Sequence, residues 1–367
     1  MSYVPGLEGV VVGETAISHV EGDIGRLSYR GFVIEDIVKM DYLDVVYLVL
    51  FGELPDKEAS SELAGFMSRH GRLTETERQM VRAMPADLHP MQMLQSMIPA
   101  LSVSGETSAG ISDDAVQGLE IIARYLSLLA SIAERLGYAA DPGLYDPGSD
   151  YLACYLTMMN GREPTLRELE AFRVVQLLQL EHSFNAGTFS TRVIASTLAS
   201  VPAVMAGGVA ALSGVLHGGA DEAALRAARE MGEPENALAY VDSIIAAKGR
   251  IMGMGHREYR VVDPRANILK PLAVELCSGT KYEKDLQLLL ALETAFNPRM
   301  AEKGKQVWAN LEFYKGVVYQ ALGIDVPFFT ATFAMARSVG WLAHFLESRE
   351  NNRIVRPAAQ YVGRLPA

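Results

Sequence analysis

The feature that most constrains the fold is the helical spacing of apolar residues, which recur every three or four positions along most of the chain. Residues 113–136 are the longest such segment. Two capping boxes, Thr74-Glu-Thr-Glu77 and Thr165-Leu-Arg-Glu168, mark helix starts, because their side chains can satisfy free backbone N–H groups. Further predicted helices cover residues 42–51, 220–231, 236–248, 263–276, 283–296 and 327–347.

Strand character is confined to the first 33 residues, where residues 9–13, 18–20 and 26–29 form short runs separated by turn-forming residues. The sequence therefore predicts a mainly α protein with a few short N-terminal strands. Because 367 residues exceed the size of one small core, we expect two domains or one large helical body.

Charge and cysteine content narrow the function classes. The chain carries 33 basic and 44 acidic residues without a basic run, which argues against nucleic acid as the main partner. Cys154 and Cys277 lack metal or redox spacing and fit a reducing compartment. The N-terminus lacks the basic and apolar regions of a secretory signal, so we expect a cytoplasmic protein.

Residues 193–220 contain no charged side chain and are long enough to cross a bilayer. They also contain Pro202 and five glycines, and His217 lies near their end. We therefore interpret them as a buried pair of helices and predict no membrane partner.

The richest cluster of functional side chains lies between two predicted helices. Gly253 and Gly255 lack a Cβ and let the backbone approach a ligand closely. His256 follows, and Arg260 and Arg265 offer positive charge for phosphates or carboxylates. On its own, this segment also fits a glycine turn followed by a solvated basic surface.

Two further histidines, His182 and His217, also lie at helix breaks beside small residues. A single histidine of this kind is usually a satisfied core residue, but three of them, counting His256, indicate a site. The sequence contains neither a zinc-binding spacing nor a Gly-x-Ser-x-Gly elbow, so a zinc site and a serine hydrolase are not favoured. A third possibility, that neutral histidines polarise carbonyl oxygens of a substrate, needs no motif that the sequence lacks.

The C-terminal third adds a carboxylate and two arginines. Glu312 lies between apolar neighbours in Asn310-Leu-Glu-Phe-Tyr-Lys-Gly316 and is a candidate general base. Arg337 lies in an otherwise apolar helix, where a buried charge needs a partner. An internal carboxylate and an anionic ligand both satisfy that need. Arg356 has the surroundings of a surface residue.

These residues belong to a longer series of motifs that resembles the citrate synthases of the short bacterial and archaeal type. The series covers nearly the whole chain and comprises Tyr29-Arg-Gly31 with Ile34-Glu-Asp36, Phe51-Gly-Glu-Leu-Pro55, His89-Pro-Met91, Glu181-His-x-Phe-Asn185, Leu216-His-Gly-Gly219, Met252-Gly-x-Gly-His256, Asp263-Pro-Arg265 and Asn352-Arg-x-x-Arg-Pro357.

The resemblance implies a two-domain, almost all-α homodimer that closes over its substrates. Residues 1–217 and 317–367 would form the large domain and residues 218–316 the small one, with hinges near the Gly218-Gly219 pair and Gly316. Because the sequence has no extra N-terminal domain, we expect a dimer rather than the larger NADH-regulated hexamer.

The implied reaction, part of the tricarboxylic acid cycle, joins the methyl carbon of acetyl-CoA to the ketone of oxaloacetate and then hydrolyses the citryl thioester. Acetyl-CoA is a co-substrate, and neither a metal nor a permanently bound cofactor is implied. By resemblance, His217 stabilises the enol, His256 polarises the ketone and Glu312 is the base. The same resemblance assigns oxaloacetate binding to His182, Arg265, Arg337 and, across the dimer interface, Arg356, and CoA binding to Gly253, Gly255 and Arg260.

The sequence departs from the family pattern at four positions near these residues. Glu312 replaces an aspartate and Asp221 an asparagine, and Val215 and Ala309 also differ. The extra methylene of a glutamate moves its oxygens by about 1 Å, and such a misplacement can cost on the order of a hundredfold in rate. Three functions therefore stay open: a citrate synthase, a 2-methylcitrate synthase that uses propionyl-CoA, and a citrate-synthase-like binding or regulatory protein of low activity.

Overall fold

The computed structural model describes residues 3–104 and 112–364. Within these ranges the chain forms sixteen α-helices and three short strands, which confirms the mainly α prediction. In chain order the elements are β1 (Ser18–Glu21), β2 (Arg26–Tyr29), β3 (Phe32–Val33), α1 (Ile34–Ile37), α2 (Tyr42–Phe51), α3 (Lys57–His70), α4 (Glu75–Ala83), α5 (Pro90–Met97), α6 (Asp113–Arg135), α7 (Tyr151–Asn160), α8 (Leu166–Gln179), α9 (Ala186–Ala195), α10 (Val201–Leu212), α11 (Ala220–Met231), α12 (Ala237–Ala246), α13 (Pro264–Cys277), α14 (Glu283–Ala301), α15 (Leu311–Ala321) and α16 (Phe329–Glu350).

The three strands form one antiparallel sheet in the order β1-β2-β3. Ser18 pairs with Tyr29, and Ser28 pairs with Val33. The strand predicted at residues 9–13 is wrong. Its three valines are exposed, and no strand in the described part of the chain lies beside them, so the apolar run has no hydrogen-bonding partner.

Local capping explains where most helices begin. Thr74 and Thr165 start α4 and α8 in complete capping boxes, and the Asp56 side chain accepts hydrogen bonds from the first backbone N–H groups of α3. One predicted end is wrong: α14 continues past residue 296 to Ala301. The helix continues through Pro298, which lies in its last turn.

Helices α6 and α16 form the centre of the core. α16 contacts α2, α6, α9 and α10, and its side chains from Phe329 to Phe345 are buried. In the described ranges α6 alone is long and apolar enough to cross a membrane, but 94% of its apolar window is buried inside the protein. The uncharged residues 193–220 form the end of α9, all of α10, a turn and the first residue of α11, so α10 is the one complete helix in the segment that was predicted to be a helix pair.

Helices α11 to α15 pack mainly on one another, with α15 against α11 and α13, and α14 against α11 and α12. This group begins just after His217. Gly218 is tightly enclosed there, because a Cβ would lie 2.4 Å from the Leu212 carbonyl oxygen. The domain boundaries at residues 217 and 317, and the hinges near Gly218 and Gly316, stay predictions.

Candidate active site

The segment that precedes α13 is paired with the segment that precedes α15. The backbone N–H of Gly255 donates to the Trp308 carbonyl oxygen at 2.7 Å, and the N–H of Asn310 donates to that of Gly253 at 2.9 Å. The Asn310 side-chain amide donates to the Gly255 carbonyl oxygen at 2.8 Å. These bonds hold the backbone beside His256 against the start of α15.

The two glycines have a structural reason as well as the predicted one. Gly253 has a φ of 79°, and a Cβ at this position would lie 2.8 Å from the Phe313 Cα, so only glycine fits. Gly255 has a φ of 87°, but its nearest side-chain neighbour, Val307, leaves more room. Contact of either glycine with CoA stays a prediction.

His256 is held in one tautomer by the backbone. Its Nδ1 accepts hydrogen bonds from the N–H groups of Glu258 at 3.1 Å and Tyr259 at 3.4 Å, so the single ring hydrogen of the neutral form lies on Nε2. Burial, together with the charge of Arg265, lowers the pKa of His256 to about 4. His256 is therefore an uncharged ring whose Nε2–H is not bonded to any described residue.

His182 lies against His256, with their ring centroids 5.1 Å apart. Its Nε2 shares a hydrogen bond of 3.1 Å with the hydroxyl of Tyr259, a buried residue that we did not predict. Burial first, and then the nearby charges of Arg265 and Arg337, hold the pKa of His182 well below its usual value. The aromatic residue three positions after His256 was the available sequence signal for this contact.

His217 lies in the turn before α11 and packs against the start of α9. A Cβ on Gly187 would lie 3.1 Å from the His217 Cε1. The His217 Nδ1 lies 3.2 Å from the Ala211 carbonyl oxygen, which can only accept, so Nδ1 carries the hydrogen. Burial and the charge of Arg337 lower the pKa of His217 to about 4, so this ring is also neutral.

Arg265 is buried and forms a bidentate ion pair with Asp263. The guanidinium Nε and Nη2 donate to the two carboxylate oxygens at 3.0 and 2.8 Å. Burial disfavours the charged carboxylate, but the adjacent guanidinium holds the pKa of Asp263 below its usual range. Asp263 also caps α13 and accepts a bond from the Leu311 N–H at 3.3 Å, so the pair joins α13 to α15.

Arg337 lies in the middle of α16 and is 2% exposed. Its Nε donates to the Gln179 carbonyl oxygen at 2.8 Å, and its guanidinium carbon lies 4.8 Å from the Phe333 ring centroid. Across residues 3–104 and 112–364 no carboxylate pairs with Arg337 within 4.0 Å, although the more distant Glu181 acts on its charge. An anionic ligand as the partner of Arg337 stays a prediction.

Glu312 is the second residue of α15. Its neighbours Leu311 and Phe313 are buried, as the apolar pattern predicts. Its carboxylate also has a charged partner that the apolar pattern did not indicate, because it forms an ion pair with the fully buried Lys315 one helical turn away. The Lys315 ammonium also lies 3.3 Å from Asp221. A lysine three residues after a candidate base was the signal that we missed.

The structure does not bring two predicted site residues to the histidines. The Arg260 side chain is exposed, while its backbone N–H donates to the Gly22 carbonyl oxygen at 2.9 Å. Arg356 is exposed in the C-terminal segment and donates to the adjacent Pro357 carbonyl oxygen at 2.9 Å. Their predicted roles toward CoA and across a dimer interface remain predictions. The described residues contain no group of three His, Cys, Asp or Glu side chains placed to hold a metal.

The family model of the citrate synthase C-terminal domain matches residues 6–358. The chain belongs to the citrate synthase family. It is 36% identical over 364 residues to the citrate synthase of Synechocystis sp., an alignment that covers 98% of this chain and 91% of that relative. It is 33% identical to the citrate synthase of Saccharolobus solfataricus, with 98% and 95% covered.

Solved structures support the same family. A citrate synthase from Thermoplasma acidophilum, in a ternary complex with carboxymethyl coenzyme A and oxaloacetate, has a TM-score of 0.91 and 29% identity, covering 99% of this chain and 96% of that one. The citrate synthase of Thermotoga maritima has a TM-score of 0.88 and 28% identity at the same coverage.

Proposed function

We propose that the chain is a citrate synthase that condenses acetyl-CoA with oxaloacetate and hydrolyses the citryl thioester to citrate and CoA. The observation that carries the proposal is the grouping of neutral histidines around Arg337, a buried guanidinium without a carboxylate partner in the described ranges. A guanidinium is suited to a carboxylate ligand. The dianionic keto acid would bind to Arg337 and Arg265 beside His182.

The roles of the remaining residues follow from their chemistry. The Glu312 carboxylate accepts a proton from the methyl carbon of acetyl-CoA. The electron pair of that C–H bond forms a carbon–carbon double bond while the π pair of the thioester carbonyl moves onto its oxygen, which gives the enol form that His217 stabilises. The enol carbon then attacks the ketone carbon of oxaloacetate, and the electron pair on the enol oxygen re-forms the thioester carbonyl. The Nε2–H of His256 donates to the ketone oxygen, which takes up the electron pair of the broken π bond. Water finally cleaves the thioester and releases the CoA thiol.

His217 has to change its hydrogen bond for this scheme to work. Its one ring hydrogen is donated to the Ala211 carbonyl oxygen. Stabilisation of the enol requires that hydrogen at the thioester oxygen instead. We expect the ring to turn as the protein closes over its substrates, since lid and domain closure commonly complete an active site.

The direct test measures free CoA thiol with a chromogenic thiol reagent after acetyl-CoA and oxaloacetate are mixed with the protein. We expect thiol release that depends on both substrates. Reactions without oxaloacetate serve as the control for simple thioester hydrolysis. Absence of oxaloacetate-dependent release would refute the proposed function.

We also propose acetyl-CoA rather than propionyl-CoA as the preferred thioester. The two substrates differ by one methylene, a difference that an apolar pocket discriminates by about 1–3 kcal/mol, or roughly 10–200-fold. The kcat/KM values for the two thioesters at saturating oxaloacetate decide the question. A higher value for propionyl-CoA would make the protein a 2-methylcitrate synthase.

We further propose a cytoplasmic homodimer in which Arg356 completes the partner's site. The exposure of Arg356 in its own chain supports this, as do two buried free cysteines, which fit a reducing compartment. The test co-expresses R356A and H217A chains with different affinity tags. Each variant alone should be impaired, and the purified mixed dimer should regain one active site. Mixed dimers without activity, or a monomer on a sizing column, would contradict the assignment.

A further inference from the structure

Lys315 is the most unusual charged residue in the described part of the protein. Its side chain is completely buried within α15, and its ammonium contacts the Glu312 carboxylate and lies 3.3 Å from that of Asp221. The same ammonium lies 4.0 Å from the centroid of the Phe333 ring. Because removing charges from water is costly unless they are paired, these three side chains act as one electrostatic unit.

Asp221 connects this unit to the other side of the site. It is the second residue of α11, which begins shortly after the His217 turn, and its carboxylate accepts a hydrogen bond of 2.7 Å from the Glu222 N–H. Asp221 is fully buried. Burial raises the pKa of Asp221 to about 6, an effect that the Lys315 charge opposes. Lys315 thus connects α15, which carries Glu312, with α11, which follows His217.

Asp221 and Glu312 are two of the four positions at which the sequence departs from the family pattern. The structure joins them through a single ammonium. A glutamate at position 312 reaches further than an aspartate, so some contact must set where its oxygens lie. The ion pair with Lys315 is the contact that does so.

We propose that Lys315 and Asp221 are positioning residues for the Glu312 carboxylate. Lys315 holds the longer side chain against α15, and Asp221 balances the lysine charge. The inference rests on the proposed function, because it concerns the base of that reaction. Proton transfer from acetyl-CoA to Glu312 would leave the Lys315–Asp221 contact intact.

Other charged or titratable groups also face this unit. Glu312 and Lys315 both act on the pKa of His217, and Glu312 acts on the charge of Arg337 in α16. Helices α13 and α14 present their polar groups to other parts of α15: the Cys277 thiol faces the Val317 carbonyl oxygen, and Glu293 binds the Tyr314 hydroxyl. A further neighbour is the fully buried Tyr319 in α15, on whose pKa both Asp221 and Glu312 act.

The test compares the pH dependence of kcat/KM for acetyl-CoA in the wild type, K315M and D221N. Without the lysine, the Asp221 and Glu312 carboxylates repel each other, so the acid limb of the K315M pH profile should move to higher pH by about one unit. Without the aspartate, the lysine charge is unbalanced, so the acid limb of D221N should move to lower pH. D221N keeps an oxygen for the Glu222 N–H and should fold normally. Opposite shifts are the signature of charge control, which a purely structural role would not produce.

Two further variants keep the test decisive. K270M removes an ammonium of α13 that pairs with Glu293 of α14 at 2.6 Å, and it should leave the pH profile unchanged. The double variant D221N/K315M removes both charges of the pair and covers the case that K315M does not fold. Its acid limb should return to that of the wild type, while its kcat falls about tenfold or more because the tether is lost.

The results separate this inference from the proposed function. Suppose that the wild type is active. If the acid limb of the pH profile is then unchanged in D221N, or moves in the same direction in D221N and K315M, the positioning role alone is overturned. A double variant with wild-type kcat shows that no tether is needed and also overturns it. A wild type that releases no CoA in the presence of oxaloacetate refutes the proposed function, and the positioning role falls with it.

Discussion

Replacement of Asp263 by asparagine should destabilise the protein and weaken oxaloacetate binding together. Asp263 is 2% exposed and Arg265 is 5% exposed, and they share two charge-assisted hydrogen bonds. Removal of one partner from a buried pair costs about 3–5 kcal/mol, because the other charge is left uncompensated. Since typical domains are stable by about 5–15 kcal/mol, this loss is a large fraction of the total.

Urea denaturation at neutral pH, followed by circular dichroism, measures the loss, and the KM for oxaloacetate reports whether Arg265 is still held in place. D242N is the matched control, because Asp242 pairs with Arg299 on the surface and its loss should leave the unfolding midpoint unchanged. A D263N midpoint equal to that of the wild type would refute the assignment of Asp263 as the anchor of Arg265.

The same variant carries a pH signature. The pKa of Asp263 is lowered by folding, so its contribution to stability is present above the ordinary carboxyl pKa of about 4 and is lost as pH falls through the lower, folded value. The difference in unfolding free energy between wild type and D263N should therefore shrink in acid. A difference that is constant between pH 7 and pH 3 would contradict this origin.

Two further predictions concern the protonation of His217 and His256 and the glycine turn that precedes His256. The ring ¹⁵N signals of His217 and His256, assigned with alanine variants, should stay those of neutral imidazole from pH 8 to about 5.5. The reason is that burial lowers the pKa of each ring to about 4. Titration near 6.5 would show that the rings are solvated. G253A should lower kcat on the order of a hundredfold, because its Cβ would displace the start of α15. The control is G279A, where the backbone is also left-handed but has open space around it, and this variant should retain the wild-type kcat. Equal activity of the two variants would show that the close contact between Gly253 and α15 does not matter for catalysis.

Local sequence signals predicted most of the fold because helix caps and apolar periods act within a few residues. Thr165 and Asp56 begin helices by contacts that can be read from adjacent positions. Residues 9–13 show the limit of this reasoning. A run of valines becomes a strand only beside another strand, and the folded chain does not place one there within the described ranges.

The site was predicted in part, because local motifs identify single residues but not the contacts between distant elements. His182 and His256 were recognised from their motifs, and the structure brings them together. The sequence left two partners open for Arg337, and only the packing of α16 showed that no described carboxylate reaches it. Lys315 lies one turn from Glu312 in the sequence, but its second contact, with Asp221, exists only because α11 packs against α15.

The central claim is that Glu312 removes the proton from acetyl-CoA, and the most direct measurement is the kcat of E312Q for CoA release in the presence of oxaloacetate. Glutamine keeps the size of the side chain but cannot accept the proton. We expect kcat to fall by at least about a hundredfold while the KM for oxaloacetate is unchanged, because His182, Arg265 and Arg337 are intact. A variant that retains the wild-type kcat would show that Glu312 is not the base.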